Sequence, residues 1–179
     1  RNGYELAETE NLTGTTEQTV TATAKTYTGF TENTSASGRV ASGQVKADGS
    51  LVLELYYDAN TYTVTLNTNG GQVSSGNVTS YVYGVETNLP TAVTKTGYTF
   101  GGWYDNQNLT GTAVTKITAT DNGNKTYYAK WTAASGIAYK VEHYKQNEAK
   151  DGYTLAETDN LTGTTDTTAN AVEKSYEIG

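Results

Sequence analysis

The chain contains one histidine, His143, and no cysteine. A structural zinc site draws its ligands from several cysteine and histidine side chains, so the sequence predicts no zinc cluster. A hydrolytic triad needs a serine or threonine nucleophile beside the histidine, and no motif places one there. We therefore interpret His143 as a residue on the surface of a strand, and we predict no catalytic residue.

Carboxylates recur in a repeated segment, at Glu8 and Glu10 and again at Glu157 and Asp159. Paired acids are typical of calcium sites and of acid–base catalysis. However, the spacing differs from that of an EF-hand loop, and the Asn-Leu-Thr-Gly-Thr sequence that follows each pair adds no further acid. The sequence therefore favours solvated strand charges, and we expect neither a metal ion nor a cofactor.

Trp103 and Tyr104 end a Gly-Gly-Trp-Tyr run that has enough aromatic surface to stack on a sugar ring. The other interpretation is that Phe100 and Trp103 lie on either side of a glycine-bent strand and fill a small core, a role that suits large aromatic side chains. The sequence favours the core, and it leaves Trp103 and Tyr104 as the candidate ligand-contact residues.

Composition limits the classes of partner. Twelve Lys and Arg against 19 Asp and Glu give a net charge of −7, which argues against nucleic acid and anionic membranes. No apolar run approaches the ~20 residues of a membrane helix, so we expect no membrane insertion in this segment. No signal segment opens the chain, and an export signal or anchor is expected elsewhere in the protein.

Alternating patterns place the candidate residues on strands. An Asp-Gly turn and the apolar alternation after it predict a hairpin over Gly38–Asp58. Further strands are expected from about residue 61, over 98–104 and over 125–131, with a loop or brief helix over 86–93. Because Thr and Tyr are abundant, exposed strand faces are expected as well. The sequence thus predicts a mainly β fold with minor α structure.

The chain repeats itself. Gly3–Thr16 returns as Gly152–Thr165, with two differences in 14 residues and an offset of 149 positions. Near-identity of this kind indicates a duplicated unit in an array. The first copy lacks the strand that precedes the second, and the second lacks the strands that follow the first. We therefore infer a two-module period of about 75 residues per module.

Residues 61–132 resemble the Listeria-Bacteroides repeat, also called the internalin B-repeat. Their opening strand ends in Asn-Gly-Gly, their centre reads Gly-Tyr-Thr-Phe-Gly-Gly-Trp-Tyr over Gly97–Tyr104, and they close on Tyr-Ala-Lys-Trp over Tyr128–Trp131. The flanks are similar to partial mucin-binding-protein-type repeats. Residues 1–60 lack the first strand of such a repeat, and residues 133–179 lack its last strands.

Both resemblances imply β-grasp, ubiquitin-like modules in tandem on exported bacterial proteins. They imply an elongated, non-catalytic stalk of a Gram-positive cell-surface adhesin, extracellular or at the cell wall, with weak multivalent adhesion. The alternative is that the modules themselves recognise mucin-type glycans or host surface proteins. Strand lengths also predict that the first and last strands of a module pair at the centre of its sheet.

The truncations predict contacts with neighbouring repeat modules. A front module without its first strand exposes backbone groups, so Tyr139–Tyr144 is expected to pair with Leu51–Tyr57 of a neighbouring molecule by strand addition. The linker from Trp131 to Tyr139 spans at most ~28 Å, which disfavours pairing within one chain. Lysine–asparagine isopeptide cross-links stay open as a further source of stability, because no motif selects the residues for one.

Overall fold

The structure is a computed structural model that describes residues 3–176. Every regular element in that range is a strand. This confirms the mainly β prediction. The strands are β1 (Thr19–Thr21), β2 (Phe30–Glu32), β3 (Ser42–Gln44), β4 (Tyr57–Ala59), β5 (Thr61–Asn67), β6 (Gln72–Val73), β7 (Ser80–Val82), β8 (Thr87–Asn88), β9 (Val93–Thr94), β10 (Tyr98–Tyr104), β11 (Lys116–Ile117), β12 (Lys125–Ala133), β13 (Ile137–Gln146) and β14 (Tyr153–Gly163).

The expected minor α structure is wrong for residues 3–176, none of which is helical. The segment over 86–93 contains β8 and the start of β9 instead. Pro90 lies between these strands and has no backbone N–H to give to a helix. The neighbouring N–H, that of Leu89, donates to the carbonyl oxygen of Thr115 over 2.9 Å. The segment is extended because the Leu89 N–H bonds to Thr115, the residue before β11.

The largest sheet has four strands in the order β10-β12-β5-β7. β5 is the first strand of the middle segment and β12 is its last. The two lie side by side at the centre of the sheet, as their lengths predicted. β10 pairs antiparallel with β12, and β5 pairs antiparallel with β7.

The chain divides into two compact units. The first comprises Arg1–Thr65, Thr79–Asn88 and Lys116–Lys125. Its two-stranded sheets are all antiparallel and pair β1 with β3, β2 with β4, and β8 with β11. Four side chains form its buried apolar core, which is small for a unit of this size: Tyr56, Val64, Tyr81 and Ile117.

The second unit comprises Leu66–Val78, Leu89–Thr115 and Thr126–Gly179. Its β10–β12 ladder shifts register between Phe100 and Trp103, where two glycines form a bulge. Trp103, which follows the bulge, is the largest buried apolar residue of this unit. The buried apolar residues of the unit are Leu89, Val93, Trp103, Tyr104, Tyr127 and Ala129.

The predicted hairpin over Gly38–Asp58 is only partly formed. β3 pairs with β1 and β4 pairs with β2, so the two arms join at a single bridge between Val40 and Glu54. The turn itself is present, because the Gly49 N–H donates to the Lys46 carbonyl oxygen over 3.1 Å. The alternating residues Leu51–Leu55 therefore lie beside the segment around Val40, their expected partner, but the two form no continuous ladder.

The two copies of the repeated segment adopt different structures. In the second copy, β14 pairs antiparallel with β13 over ten positions. In the first copy, the stretch from Tyr4 to Gly14 forms no strand, and its backbone makes no hydrogen bond to another described segment. Leu12 is 83% exposed, whereas the corresponding Leu161 is 40% exposed. Pairing with β13, rather than the sequence of the segment alone, determines whether it forms a strand.

Candidate functional site

The β13–β14 hairpin brings His143, Glu157 and Asp159 together on one face. His143 and Glu157 are opposite each other in the ladder, and one ligand-type atom from each of the three residues lies within 4.8 Å of the others. The Nε2 atom of His143 lies 3.1 Å from Oδ2 of Asp159. The sequence did not predict this cluster, because His143 and Asp159 are 16 positions apart and are brought together only by the register of the hairpin.

A lysine ammonium group already bridges the two carboxylates. Nζ of Lys174 contacts Oε1 of Glu157 and donates to Oδ1 of Asp159 over 2.6 Å. A divalent cation bound to these oxygens would be repelled by that ammonium group. The geometry therefore favours an ion-pair network on β14 over a metal centre.

The first copy of the repeat contains the same network. Nζ of Lys25 lies 2.9 Å from Oε2 of Glu8 and 3.1 Å from Oε1 of Glu10. Lys25 precedes Lys174 by the same 149 positions that separate the two copies. A hydrogen bond from the Tyr27 hydroxyl, followed by the Lys25 contact, lowers the pKa of Glu8 from its ordinary value. The carboxylate pair with its lysine is thus a structural feature of the repeat.

Trp103 and Tyr104, the candidate ligand-contact residues, lie in the core of the second unit and are 2% and 8% exposed. The Trp103 indole packs edge to face against Phe100, with 5.5 Å between ring centroids. An aromatic ring that stacks on a sugar must present one face to solvent. The burial of both side chains therefore favours the core interpretation over the ligand-contact interpretation.

A shallow depression of about 420 Å³ lies between residues 70–72 and 94–96. Glycine, threonine and glutamine line it, and Lys95 is its one charged residue. Nζ of Lys95 lies 4.3 Å from the ring centroid of Tyr98 and donates to the carbonyl oxygen of Asn69 over 3.2 Å. This lysine is held by an aromatic ring and a backbone oxygen, and the depression has no converging acid or nucleophile for catalysis.

The sequence offers many lysines for an isopeptide cross-link, and most of those whose contacts the structure describes are held by other groups. Six lysines have ammonium groups that contact carboxylates or backbone carbonyls rather than an asparagine side chain: Lys25, Lys95, Lys116, Lys125, Lys140 and Lys174. The best-buried lysine pair is Lys125 with Asp121, at 2.7 Å. The hydrogen bond from Lys125, together with those from Thr118, lowers the pKa of Asp121 to about 2.

Residues 3–176 contain no helix that is long and apolar enough to cross a bilayer.

A family model matches the middle of the chain. Residues 62–130 match the family model of the Listeria-Bacteroides repeat domain. Over 87 residues, the chain is 37% identical to a protein of Evansella cellulosilytica named "Putative Gly-rich membrane protein"; this alignment covers 48% of the chain and 10% of that protein. The chain thus spans about a tenth of the length of this curated relative.

No solved structure shows significant similarity to the chain. The resemblance of the flanks to mucin-binding-protein-type repeats stays a prediction. The middle segment, as its Asn-Gly-Gly, Gly-Gly-Trp-Tyr and Tyr-Ala-Lys-Trp motifs predicted, is similar to the Listeria-Bacteroides repeat domain over residues 62–130.

Proposed function

We propose that the chain is a non-catalytic part of a repeat array in an exported bacterial surface protein, where it acts as a stalk or spacer. The observation that carries this proposal is the use of its candidate functional side chains in internal contacts. Trp103 and Tyr104 are buried, and the acids of both repeat copies are paired with Lys25 and Lys174. Such contacts stabilise a fold and leave few groups free to act on a substrate.

The comparisons support a repetitive, surface-associated protein. The family that residues 62–130 match is a repeat domain, and the name of the Evansella cellulosilytica relative describes a membrane protein. We extend this to an extracellular position at the cell wall of a Gram-positive bacterium. An adhesin needs such a spacer, because its binding domain must reach beyond the wall, and weak contacts multiply along an array.

The strand order supports a β-grasp module over 61–132. In that sheet the first and last strands are central and adjacent. We propose partial mucin-binding-protein-type modules over 1–60 and 133–179, so that the chain samples a tandem, elongated array. Modules of ~70 residues have small cores, and contacts between neighbours then contribute to their stability.

The position of β5 and β12 also suggests how a spacer resists force. The chain enters the middle segment through β5 and leaves it through β12, and the two strands are neighbours in the sheet. The Thr63 N–H donates to the Asn124 side chain, and the Asn69 side chain donates to the Ala129 carbonyl oxygen, so β5 and β12 run in the same direction. A pull on the two ends of the chain therefore shears the hydrogen bonds between these strands, and several of them must break together.

Single-molecule force spectroscopy on the full chain, held through handles at both ends, tests this role. We expect a distinct unfolding event whose contour-length gain corresponds to the middle segment, at most ~3.6 Å for each of its residues. Gradual extension without a distinct event would contradict the spacer proposal. Binding to a mucin-type glycan array would instead support the alternative, that the modules are recognition domains.

A further inference from the structure

Two turns in the chain share a sequence pattern and a backbone conformation. The pattern, Thr-x-Thr-Gly-aromatic-Thr, occurs over 26–31 and again over 94–99. Its glycines have nearly the same positive φ, +78° at Gly29 and +79° at Gly97. In each turn the N–H of the aromatic residue donates to the carbonyl oxygen three residues earlier, over 3.1 Å in the first turn and 3.0 Å in the second. The two turns are therefore alike in structure as well as in sequence.

Each turn lies next to a residue that links one segment of the chain to the next. Asn60 stands between β4 and β5, and Ala134 stands between β12 and β13. The Asn60 N–H donates to the carbonyl oxygen of Gly29 over 2.8 Å. The Ala134 N–H donates in the same way to Gly97, over 2.9 Å. Both linking residues are thus hydrogen-bonded to the segment that precedes them.

The carbonyl oxygens of the same two residues bond to the segment that follows. The Tyr83 N–H, directly after β7, donates to the carbonyl oxygen of Asn60 over 2.9 Å. The Thr165 N–H, just after β14, donates to that of Ala134, also over 2.9 Å. In both places the donor follows the strand that pairs antiparallel with the first strand of the next segment. A single residue therefore joins two segments through its backbone, and the pattern is the same for an asparagine and an alanine.

The turn glycine leaves room for a side chain of the following segment. A Cβ atom added to Gly29 would lie 2.2 Å from Cγ of Tyr83. One added to Gly97 would lie 2.9 Å from Oγ1 and 3.0 Å from Cγ2 of Thr165. Rotation of Thr165 does not relieve the contact, because every staggered rotamer of this β-branched side chain keeps at least one γ atom in one of these two positions. The close approach of the following segment, in addition to the positive φ, thus requires glycine in both turns.

The aromatic residue after the glycine also contacts the following segment. The Phe30 ring packs edge to face against the Tyr83 ring, with 5.5 Å between ring centroids. The Tyr98 hydroxyl donates to a carboxylate oxygen of Asp166. The chemistry of this contact differs between the two places, but its position in the pattern is the same. Each of the two joints lies wholly within one compact unit.

We propose that the Thr-x-Thr-Gly-aromatic-Thr turn is a docking site for the next segment of the chain, and that this segment folds against the turn rather than independently. The partner that fits is a pair of antiparallel strands, here β5 with β7 or β13 with β14. Because the shared hydrogen bonds come from backbone groups, the site accepts strand pairs of different sequence. The β13–β14 pair needs such support, since two-stranded sheets are marginally stable alone. This inference goes beyond the spacer role and holds equally if the segments recognise a ligand.

Native-state hydrogen exchange on the full chain tests the coupling. Gly97→Ala adds the clash with Thr165. Gly136→Ala is a matched control, because Gly136 has a φ of +73° and open space around an added Cβ. We expect the β13–β14 amides to exchange about tenfold faster in Gly97→Ala than in Gly136→Ala, because the clash opens the joint. Equal rates in the two variants would overturn the proposal.

A compensating change separates loss of docking from damage to the turn itself. Thr165→Ala removes both γ atoms that the added Cβ would meet and leaves the Thr165 Cβ position, at 3.5 Å, as the nearest contact. Adding Thr165→Ala to Gly97→Ala should therefore return the exchange of β13–β14 to within about threefold of the Gly136→Ala rate. If exchange stays fast in the double variant, Gly97→Ala acts within its own turn and the proposal is wrong.

The first joint gives an independent measurement, which applies even if Gly97→Ala does not fold. Gly29→Ala is compared with Gly84→Ala, since Gly84 has a φ of +85° and no atom within 4 Å of an added Cβ. Urea unfolding should show a larger loss of stability for Gly29→Ala. That loss should fall by about half or more in a Tyr83→Ala background, because the opposing ring is then absent. The same loss with and without the Tyr83 ring would contradict docking at this turn.

Discussion

The indole Nε1 of Trp103 donates a hydrogen bond to the backbone oxygen of Pro90 over 2.8 Å. The bond joins the buried end of β10 to the turn that replaces the expected brief helix between β8 and β9. It satisfies a buried donor and a carbonyl in a segment that has few regular backbone partners. The candidate ligand-contact tryptophan is thus part of what holds this turn in place.

Trp103→Phe should therefore destabilise the second unit by about 2 kcal/mol, because it leaves the Pro90 oxygen without its donor and removes buried volume. Urea unfolding followed by circular dichroism measures the change. Tyr153→Phe, at a side chain that is 73% exposed, serves as the control and should change the free energy of unfolding by less than about 0.5 kcal/mol. Equal stability of the two variants would argue against a core role for Trp103.

The bulge in β10 requires glycine at position 102. Gly102 has a φ of +103°, and a Cβ atom added there would lie 2.8 Å from the Cβ of Ala113. Gly111 has a φ of +87° but has open space around an added Cβ. We expect Gly111→Ala to cost about 1 kcal/mol and Gly102→Ala about 2–3 kcal/mol, because only the latter adds a steric clash. Similar thermal unfolding of both variants would show that the bulge relaxes freely.

Acid should weaken the first unit through Asp121. The pKa of Asp121 is lowered to about 2, whereas an unfolded Asp titrates near 3.9. A carboxylate with a depressed pKa stabilises the fold above pH ~3.9, and its contribution is lost as the pH falls from about 4 to about 2. We expect Asp121→Asn to lose about 1 kcal/mol at pH 7 and to show a smaller loss between pH 4 and 2.

Urea unfolding at pH 7, 4 and 2 measures this dependence. Lys125→Met removes the principal donor to Asp121 and should give a similar loss at pH 7. Glu148→Gln, at an exposed position, is a control that should leave the pH dependence of the native chain intact. If Asp121→Asn and the native chain lose stability in parallel below pH 4, another carboxylate is responsible.

Lys174 should exclude metal ions from the acids of the hairpin. The native chain is expected to show no change in the ring NMR signals of His143 when Zn²⁺ is added, because the Lys174 ammonium group contacts both Glu157 and Asp159 and repels a cation there. Lys174→Met frees both carboxylates beside the imidazole, and the ring signals should then shift. Isothermal titration of Zn²⁺ into Lys174→Met and into the double variant Lys174→Met with His143→Asn should show weaker binding to the double variant. Equal shifts in the native chain would mean that Lys174 does not block the cluster.

Short-range patterns predicted the long strands well. The alternation in Thr61–Asn67 and the glycine–aromatic run in Tyr98–Tyr104 both correspond to strands in the structure. These segments form ladders with their neighbours, so local propensity and tertiary pairing agree. The matching of β5 with β12 also followed from sequence, because the first and last strands are among the longest alternating runs of the middle segment.

Features that depend on long-range pairing could not be predicted in the same way. The alternation before β4 predicted a full hairpin, but β3 pairs with β1 instead. The segment over 86–93 has no strong pattern, and a distant acceptor at Thr115 decides its conformation. The cluster around His143 depends on a hairpin register with a shift between His143 and Tyr144, and no motif in the sequence encodes that shift.

The pairing of β14 with β13 has a consequence for the length of such proteins. The two repeated segments are almost interchangeable in sequence, and they stand one period of 149 positions apart. If one 149-residue period is deleted or duplicated, the sequence of β13 still comes directly before the sequence of β14. An array of this design can gain or lose whole periods while every junction keeps its hydrogen-bonding partner, so the length of the array can change without a new fold.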